Sequence, residues 1–424
     1  LSELLPTGGG QNAVDFVASG TLASGQAVAL KTDGTVEAVA QGGPSADTPV
    51  TFNSATSADI SATFDSANNK VVISYQDGGN SSYGTAIVGT VSGTSISFGT
   101  AVVFESAPIG LTSATYDSTN NKIVIAYRDD GNSSYGTAIV GTVSGTAISF
   151  GTAAVFESAV SVYISATYDA TNNKVVITYR DNGNSEYGTA IVGTVSGTAI
   201  SFGTAVVFES AECLYIAATY DSTNNKIVIA YRDAPNSGYG TSIVGTVSGT
   251  AISFGTAVVF ESAMASYIAA TYDSTNNKTV ISYSDGGNAD YGTAIVGTVS
   301  GTAISFGTAV VFESANLMDI SSTFDSNLNK IVIAYQDVGN AGYGTAIVGT
   351  VSGTAISFGS PTVFESATSN FNSAIYDSAN NKVVIAYSDN GNSDYGTSVV
   401  FQTVSTNNTS FIGITAEAIS SAAT

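Results

Sequence analysis

Tyr163, Tyr215 and Tyr267 stand 52 residues apart, and Asp319 and Phe371 continue the same series at the same interval. Arg128, Arg180 and Arg232 form a second series with that spacing. Aromatic faces stack on sugar rings or apolar protein surface, and guanidinium forks donate to hydroxyl or carboxylate oxygens. This is the chemistry of binding. Nucleophilic chemistry has little to draw on: His is absent and Cys213 is the single cysteine, which excludes Ser/His and Cys/His catalysis, zinc clusters and disulfides.

The carboxylates point the same way. Glu105, Glu157, Glu209, Glu261, Glu313 and Glu365 also recur at the 52-residue interval. Glycoside hydrolysis needs one pair of unlike carboxylates with pKa values pushed apart. Identical carboxylates in every copy are expected to be structural, so no enzyme activity and no cofactor are expected. A further repeated turn, D-x-G/P-N, offers Asp129, Asp130 and Asn132 as a weak Ca2+ candidate. Ca2+ takes about six or more oxygens, and a hydrogen-bonded turn accounts for the same residues.

The positioning elements follow from the period. Asp65, Asp117, Asp169, Asp221, Asp273, Asp325 and Asp377 mark seven copies of a 52-residue unit, each followed five residues on by a Lys, from Lys70 to Lys382. A fixed period of this size is the signature of a repeat architecture. Val, Ile, Thr, Tyr and Phe dominate the copies, as in β-sheet. In the second copy, 111–117 reads as strand A, 122–127 as strand B, 135–143 as strand C and 147–157 as strand D with a bend at Gly151, separated by Asn-, Asp- and Gly-rich turns. Four antiparallel strands per unit, seven times over, predict an all-β, seven-bladed β-propeller, with a β-solenoid as the alternative. The stretch 50–55 stands one period before 102–107, so a D-type strand precedes the first A strand and can complete the last blade. Such a joint hides two sheet edges. The repeated Lys is expected to pair with a repeated Asp or to cap a turn, and Tyr127 and its equivalents to pack between blades.

The chain divides into an N-terminal extension (1–12), a small split β-module (13–45 with 410–424) and the propeller (46–409). The stretches GTLASGQAVALKTDGTVEAV (20–39) and FIGITAEAIS (411–420) resemble small β-domains of phage capsid and tail-fibre proteins. The resemblance implies a further strand after the second stretch, and hence a sheet edge that a neighbour can fill by strand addition. Leu1, Leu4 and Leu5 form the candidate donor strip, and Phe411, Ile412 and Ile414 the acceptor. Head-to-tail donation builds open filaments. The competing reading is a plain N-terminal tail.

In a propeller, the D-to-A and B-to-C connections share one face. Here that face holds the differences between copies, including Arg128, Tyr163, Arg180, Tyr215, Arg232, Tyr267, Asp319 and Phe371. Variable loops on a rigid scaffold carry binding; the competing explanation is drift. The D-x-G/P-N turns resemble the Asp-box of sialidase-like propellers, but Tyr83 and Tyr135 stand one or two places off that pattern.

Lys and Arg total 11 against 33 acidic residues, for a net charge of −22. Nucleic acid, which needs clustered basic residues, is excluded as a partner, and membrane insertion is not expected. The resulting expectation is a non-enzymatic structural subunit of an extracellular filament or virion fibre, a homopolymer with one face open to a glycan or cell-surface ligand. The alternatives are a secreted lectin-like propeller and, more remotely, a sialidase-like hydrolase.

Overall fold

The computed structural model describes Val17 and residues 27–30, 35–38, 41–406 and 411–414 of the 424-residue chain. Two compact units are present: residues 45–403, and residues 1–44 with 404–424.

The larger unit is all-β, with 28 strands joined edge to edge in a closed ring of seven blades. Strand B, such as Lys122–Asp129, runs antiparallel to strand A on one side and to strand C (Tyr135–Ser144) on the other. Residues 123–127 of strand B are fully buried, side chains of both faces included. Alternation is therefore lost from KIVIAY, because each blade is covered on both sides by its neighbours. At six of the seven blade interfaces three rings pack together in tilted or edge-on contact. Phe104, for instance, lies 5.3 Å from Tyr127 and 5.6 Å from Phe150.

Strands D and A differ from the expected pattern. Strand D is broken: Ala147–Phe150 pairs with the end of strand C, the chain leaves the sheet at Gly151, and a new strand starts at Ala154. The break has a steric cause, since a Cβ on Gly151 would lie 1.9 Å from the Thr198 carbonyl oxygen of the next blade. From Ala154 the chain runs as one 16-residue strand to Asp169. Its first part pairs with strand C of one blade and its second with strand B of the next. The expected D-to-A loops are thus extended backbone that crosses between blades, with register shifts against strand C and a further one against strand B between Val162 and Ser165.

Turn chemistry is as the residue types dictate. Asp117 accepts the N–H groups of Thr119 and Asn120 at 3.1 and 2.9 Å, and Asn121 takes a left-handed φ of 53°, which Asn tolerates better than most residues. The Asp is thereby committed to the turn. Lys122 instead donates to Thr142 Oγ1 at 2.9 Å across the sheet, so neither the Lys–Asp pair nor a Lys turn cap forms there.

The ring closes through the entering strands. Residues Val50–Asp65 and Ser45–Ala46 both pair with Tyr395–Gln402, completing the seventh blade. The joint carries a size exchange. Where the sixth blade sets Gly349 opposite Phe358, the seventh sets Phe401 opposite Ala46. Phe401 is fully buried, so the entering strand fits this blade and would collide with a Phe-bearing one.

In the smaller unit, Ala27–Leu30 is the centre of a three-stranded antiparallel sheet between Val36–Ala38 and Phe411–Ile414. Gln41–Gly42 pairs with Ser405–Thr406. Leu1, Leu4 and Leu5 lie outside the described residues. No helix among the described residues is long and apolar enough to cross a membrane.

Candidate ligand site at the channel mouth

Strand A of every blade lines the central channel, and both channel mouths are built from its ends. At one mouth the kink of the crossing strand places one residue per blade in the left-handed region: Asp59, Leu111, Tyr163, Tyr215, Tyr267, Asp319 and Phe371, with φ between 48° and 54°. Left-handed backbone costs a non-glycine residue about 1–2 kcal/mol. None of the seven is Gly or Asn, so each position keeps a side chain at a strained site. All seven line one cavity of about 250 Å3 at the mouth.

The seven pivots are not equivalent. Tyr163, Tyr215 and Tyr267 form an arc, with ring centroids 5.3 and 5.2 Å apart. Burial raises the phenol pKa of Tyr163 and Tyr267, aided in both by the neighbouring Tyr215. Phe371 is exposed. Asp59 and Asp319 flank it in ring order. Burial raises both carboxylates above the usual range, while an N–H of the next blade, from Leu111 and Phe371 respectively, opposes the shift.

One layer below lies the cavity floor. Ile60, Ile164, Ile216, Ile268 and Ile320 supply it in five blades, and Asn372 in the seventh. Below that, a serine girdle ties strand to strand. Ser61, Ser113, Ser165, Ser321 and Ser373 each accept an N–H from the next blade at 2.9–3.1 Å, and the Ala62–Ser373 bond spans the closure. The brace covers five of the seven junctions; Ala217 and Ala269 stand at the other two.

The arginines do not line the cavity. Arg128 is held by Asp130 at 2.6 and 2.9 Å. Arg180 lies 5.5 Å from the Tyr163 ring centroid and bonds Glu212 at 3.3 Å. Arg232 lies 5.9 Å from the Tyr215 centroid and donates to Ser266. Arg180 and Arg232 back the tyrosine arc from outside, a cation–π arrangement that holds the rings. Of the eight residues expected on this face, Tyr163, Tyr215, Tyr267, Asp319 and Phe371 meet at the cavity and the three arginines stand behind. Asp59 and Leu111 complete the ring. Their signal was the 52-residue interval itself.

The Ca2+ candidates are otherwise engaged. Asp129 accepts the N–H of Asn132 at 3.1 Å, while Asp130 bonds Arg128 and Ser134. Burial pushes Asp130 up, but those two partners bring its pKa below the usual value. No group of three or more His, Cys, Asp or Glu suited to a metal occurs among the described residues. Each repeated Glu accepts a hydrogen bond from a buried Tyr hydroxyl, as Glu209 does from Tyr231 at 2.9 Å. The first blade has Asn53 in place of Glu, and there Tyr75 Oη has no partner.

No family model matches the chain, and no curated protein matches it in sequence. Solved structures match in fold. The chain is similar to the BP39L lectin of Burkholderia pseudomallei (TM-score 0.60, 12% identity, 86% of this chain and 100% of that one). It is also similar to the β-propeller domain of Cps50 (Swd1) from Myceliophteria thermophila (TM-score 0.55, 8% identity, 84% and 100%). These likenesses establish the β-propeller fold.

Proposed function

We propose that the protein is a non-enzymatic saccharide-binding propeller, lectin-like in action and exposed on an extracellular or virion surface, with its site in the cavity at the channel mouth. One observation carries this reading: seven left-handed backbone positions converge on a single cavity and present an aromatic arc together with two carboxylates. Strain persists where the surrounding structure over-determines it, and such positions cluster at ligand clamps. Aromatic faces take the apolar face of a sugar ring, and carboxylates accept from its hydroxyls. BP39L is a lectin on the same fold, in keeping with this reading.

The test is a glycan panel probed with the wild-type protein and with Tyr215→Ala. Retention of a saccharide by the wild type, weakened about tenfold in the variant, is the expected result; ring stacking of about 0.5–1.5 kcal/mol sets that scale. Equal retention by both would move the site elsewhere.

A second reading, self-assembly into a filament or virion fibre, rests on Phe411–Ile414. Among the described residues this strand pairs on one side only, with Ala27–Leu30. Strand addition to its open side by the segment bearing Leu1, Leu4 and Leu5 would join copies head to tail. Negative-stain microscopy with and without residues 1–10 decides it. Filaments that vanish on truncation support the joint, and isolated rings in both samples contradict it.

A further inference from the structure

The polar side of the cavity carries one atom that the scaffold does not need. The blade after each Asp pivot breaks the isoleucine floor with a polar residue: Thr112 follows Asp59, and Asn372 follows Asp319. Both do the same structural task. Thr112 Oγ1 donates to the Asp59 carbonyl at 2.6 Å, and Asn372 Nδ2 donates to the Asp319 carbonyl at 3.2 Å. A hydroxyl suffices for that task. Asn372 brings a carbonyl oxygen besides, and this Oδ1 is buried with no hydrogen-bond partner, on a residue 8% exposed that lines the cavity. An unsatisfied buried acceptor is costly, and each one in a folded protein calls for an explanation such as a ligand.

The surroundings specify the missing donor. Asp319 Oδ2 accepts the Phe371 N–H at 3.0 Å, and Asp59 accepts the N–H of Leu111, which leaves each carboxylate further lone pairs. The Asn372 amide nitrogen is engaged at the Asp319 carbonyl, so this side offers acceptors: two carboxylates and an amide oxygen. None of the described residues lining the cavity is Lys or Arg. The nearest guanidinium felt by Asp59, that of Arg128, is tied to Asp130. The same cavity holds the tyrosine arc, whose Tyr267 neighbours Asp319 in ring order and whose faces favour cations as well as sugar rings. The cavity, at about 250 Å3, is below the ~300–1,000 Å3 of drug-sized sites and admits one ring-sized group.

Resting on the saccharide reading above, we infer that the mouth takes a single terminal amino sugar with a free ammonium. The ammonium sits against Asp59, Asp319 and Asn372 Oδ1, and the sugar face lies on the tyrosine arc. Stoichiometry is one per chain, because arc and acceptor wall occur once in the ring although the blades number seven.

Calorimetry with the fully deacetylated β-1,4-linked glucosamine trimer, and with its N-acetylated counterpart, tests this. The variant is Asn372→Thr, which installs the residue used at position 112 and keeps the donor to Asp319. The expected result is one trimer bound per chain and an acetylated trimer weaker by about tenfold or more, the scale of hydrogen bonds to a charged group. In Asn372→Thr that preference is expected to shrink with the melting temperature unchanged. Equal affinity for the two trimers, or binding only of neutral saccharides from the panel, overturns the ammonium assignment and leaves the saccharide reading standing. Binding of no saccharide overturns both.

Discussion

The two mouths of the channel are made by opposite ends of the same seven strands, yet they are built on opposite rules. At one end each strand A finishes in a Phe or Tyr and an Asp that recur in every copy. Three of the tyrosine hydroxyls bond across blades: Tyr168 to Thr119, Tyr220 to Thr171 and Tyr272 to Thr223, each at 2.6 Å. At the other end the pivots share a backbone conformation and differ in side chain: Asp, Leu, Tyr, Tyr, Tyr, Asp, Phe. Where a side chain packs against the next blade, the copies keep an aromatic ring of one size, Tyr in five and Phe in two. At the pivots no side chain is bound to complete a repeated contact, since five of the seven junctions are already tied by serines one layer below, and the side chains there differ.

The contrast can be broken most severely at a repeated contact. Gly151→Ala would set a methyl group 1.9 Å from the Thr198 carbonyl oxygen of the next blade. The expected cost is about 3 kcal/mol, the upper part of the usual overpacking range, seen as a lower denaturant midpoint. Equal stability would mean that the blades slide freely and that the repeated positions are not fixed by packing.

A smaller effect is expected at a pivot. Tyr215→Gly relieves about 1–2 kcal/mol of left-handed strain and forfeits two ring pairs, with Tyr163 and Tyr267, at about 0.5–1.5 kcal/mol each. Stability should therefore fall only modestly while saccharide binding weakens about tenfold or more. A large destabilisation would make the tyrosine arc a structural element and remove the contrast between the two mouths.

The smallest effect is on pH dependence. Burial raises the pKa of Glu157, Glu209, Glu313 and Glu365 in the folded state, and of Asp59 and Asp319 at the mouth. A carboxyl whose folded pKa exceeds its unfolded one binds its proton more tightly when folded. Its contribution is complete below the unfolded values near 4 and is lost as pH rises through the folded pKa. The melting temperature should rise on acidification from neutral toward pH 4.5, helped by relief of the net charge of −22. Replacing the four glutamates by Gln should remove part of the gain, the remainder coming from aspartates that burial also raises, such as Asp59, Asp319, Asp337 and Asp389. A fall in melting temperature over that range would contradict the assignment.

Much of the architecture was readable because the copies calibrate one another. Seven equally spaced aspartates defined the blades, and the displaced copy at 50–55 foretold the closing strand. The D-to-A connections misled, since variable residues such as Pro108, Ile109 and Gly110 look like a loop although they run inside strand 102–117. The kink was silent for a related reason: Tyr, Leu and Phe, which hold five of the seven pivots, do not advertise positive φ as Gly, Asn or Asp would. The arginines looked like ligand contacts because spacing alone cannot tell a residue at the cavity from one that braces it. Nothing in the sequence separates the Asn372 carbonyl from any other polar atom, because its lack of a partner is a property of the packed ring.

The most direct measurement is a crystal structure of the protein with the saccharide best retained on the panel. The account predicts one sugar in the channel mouth, stacked on Tyr215 and within hydrogen-bonding distance of Asp319. Sugars repeated between blades at the rim, with the mouth empty, would contradict it.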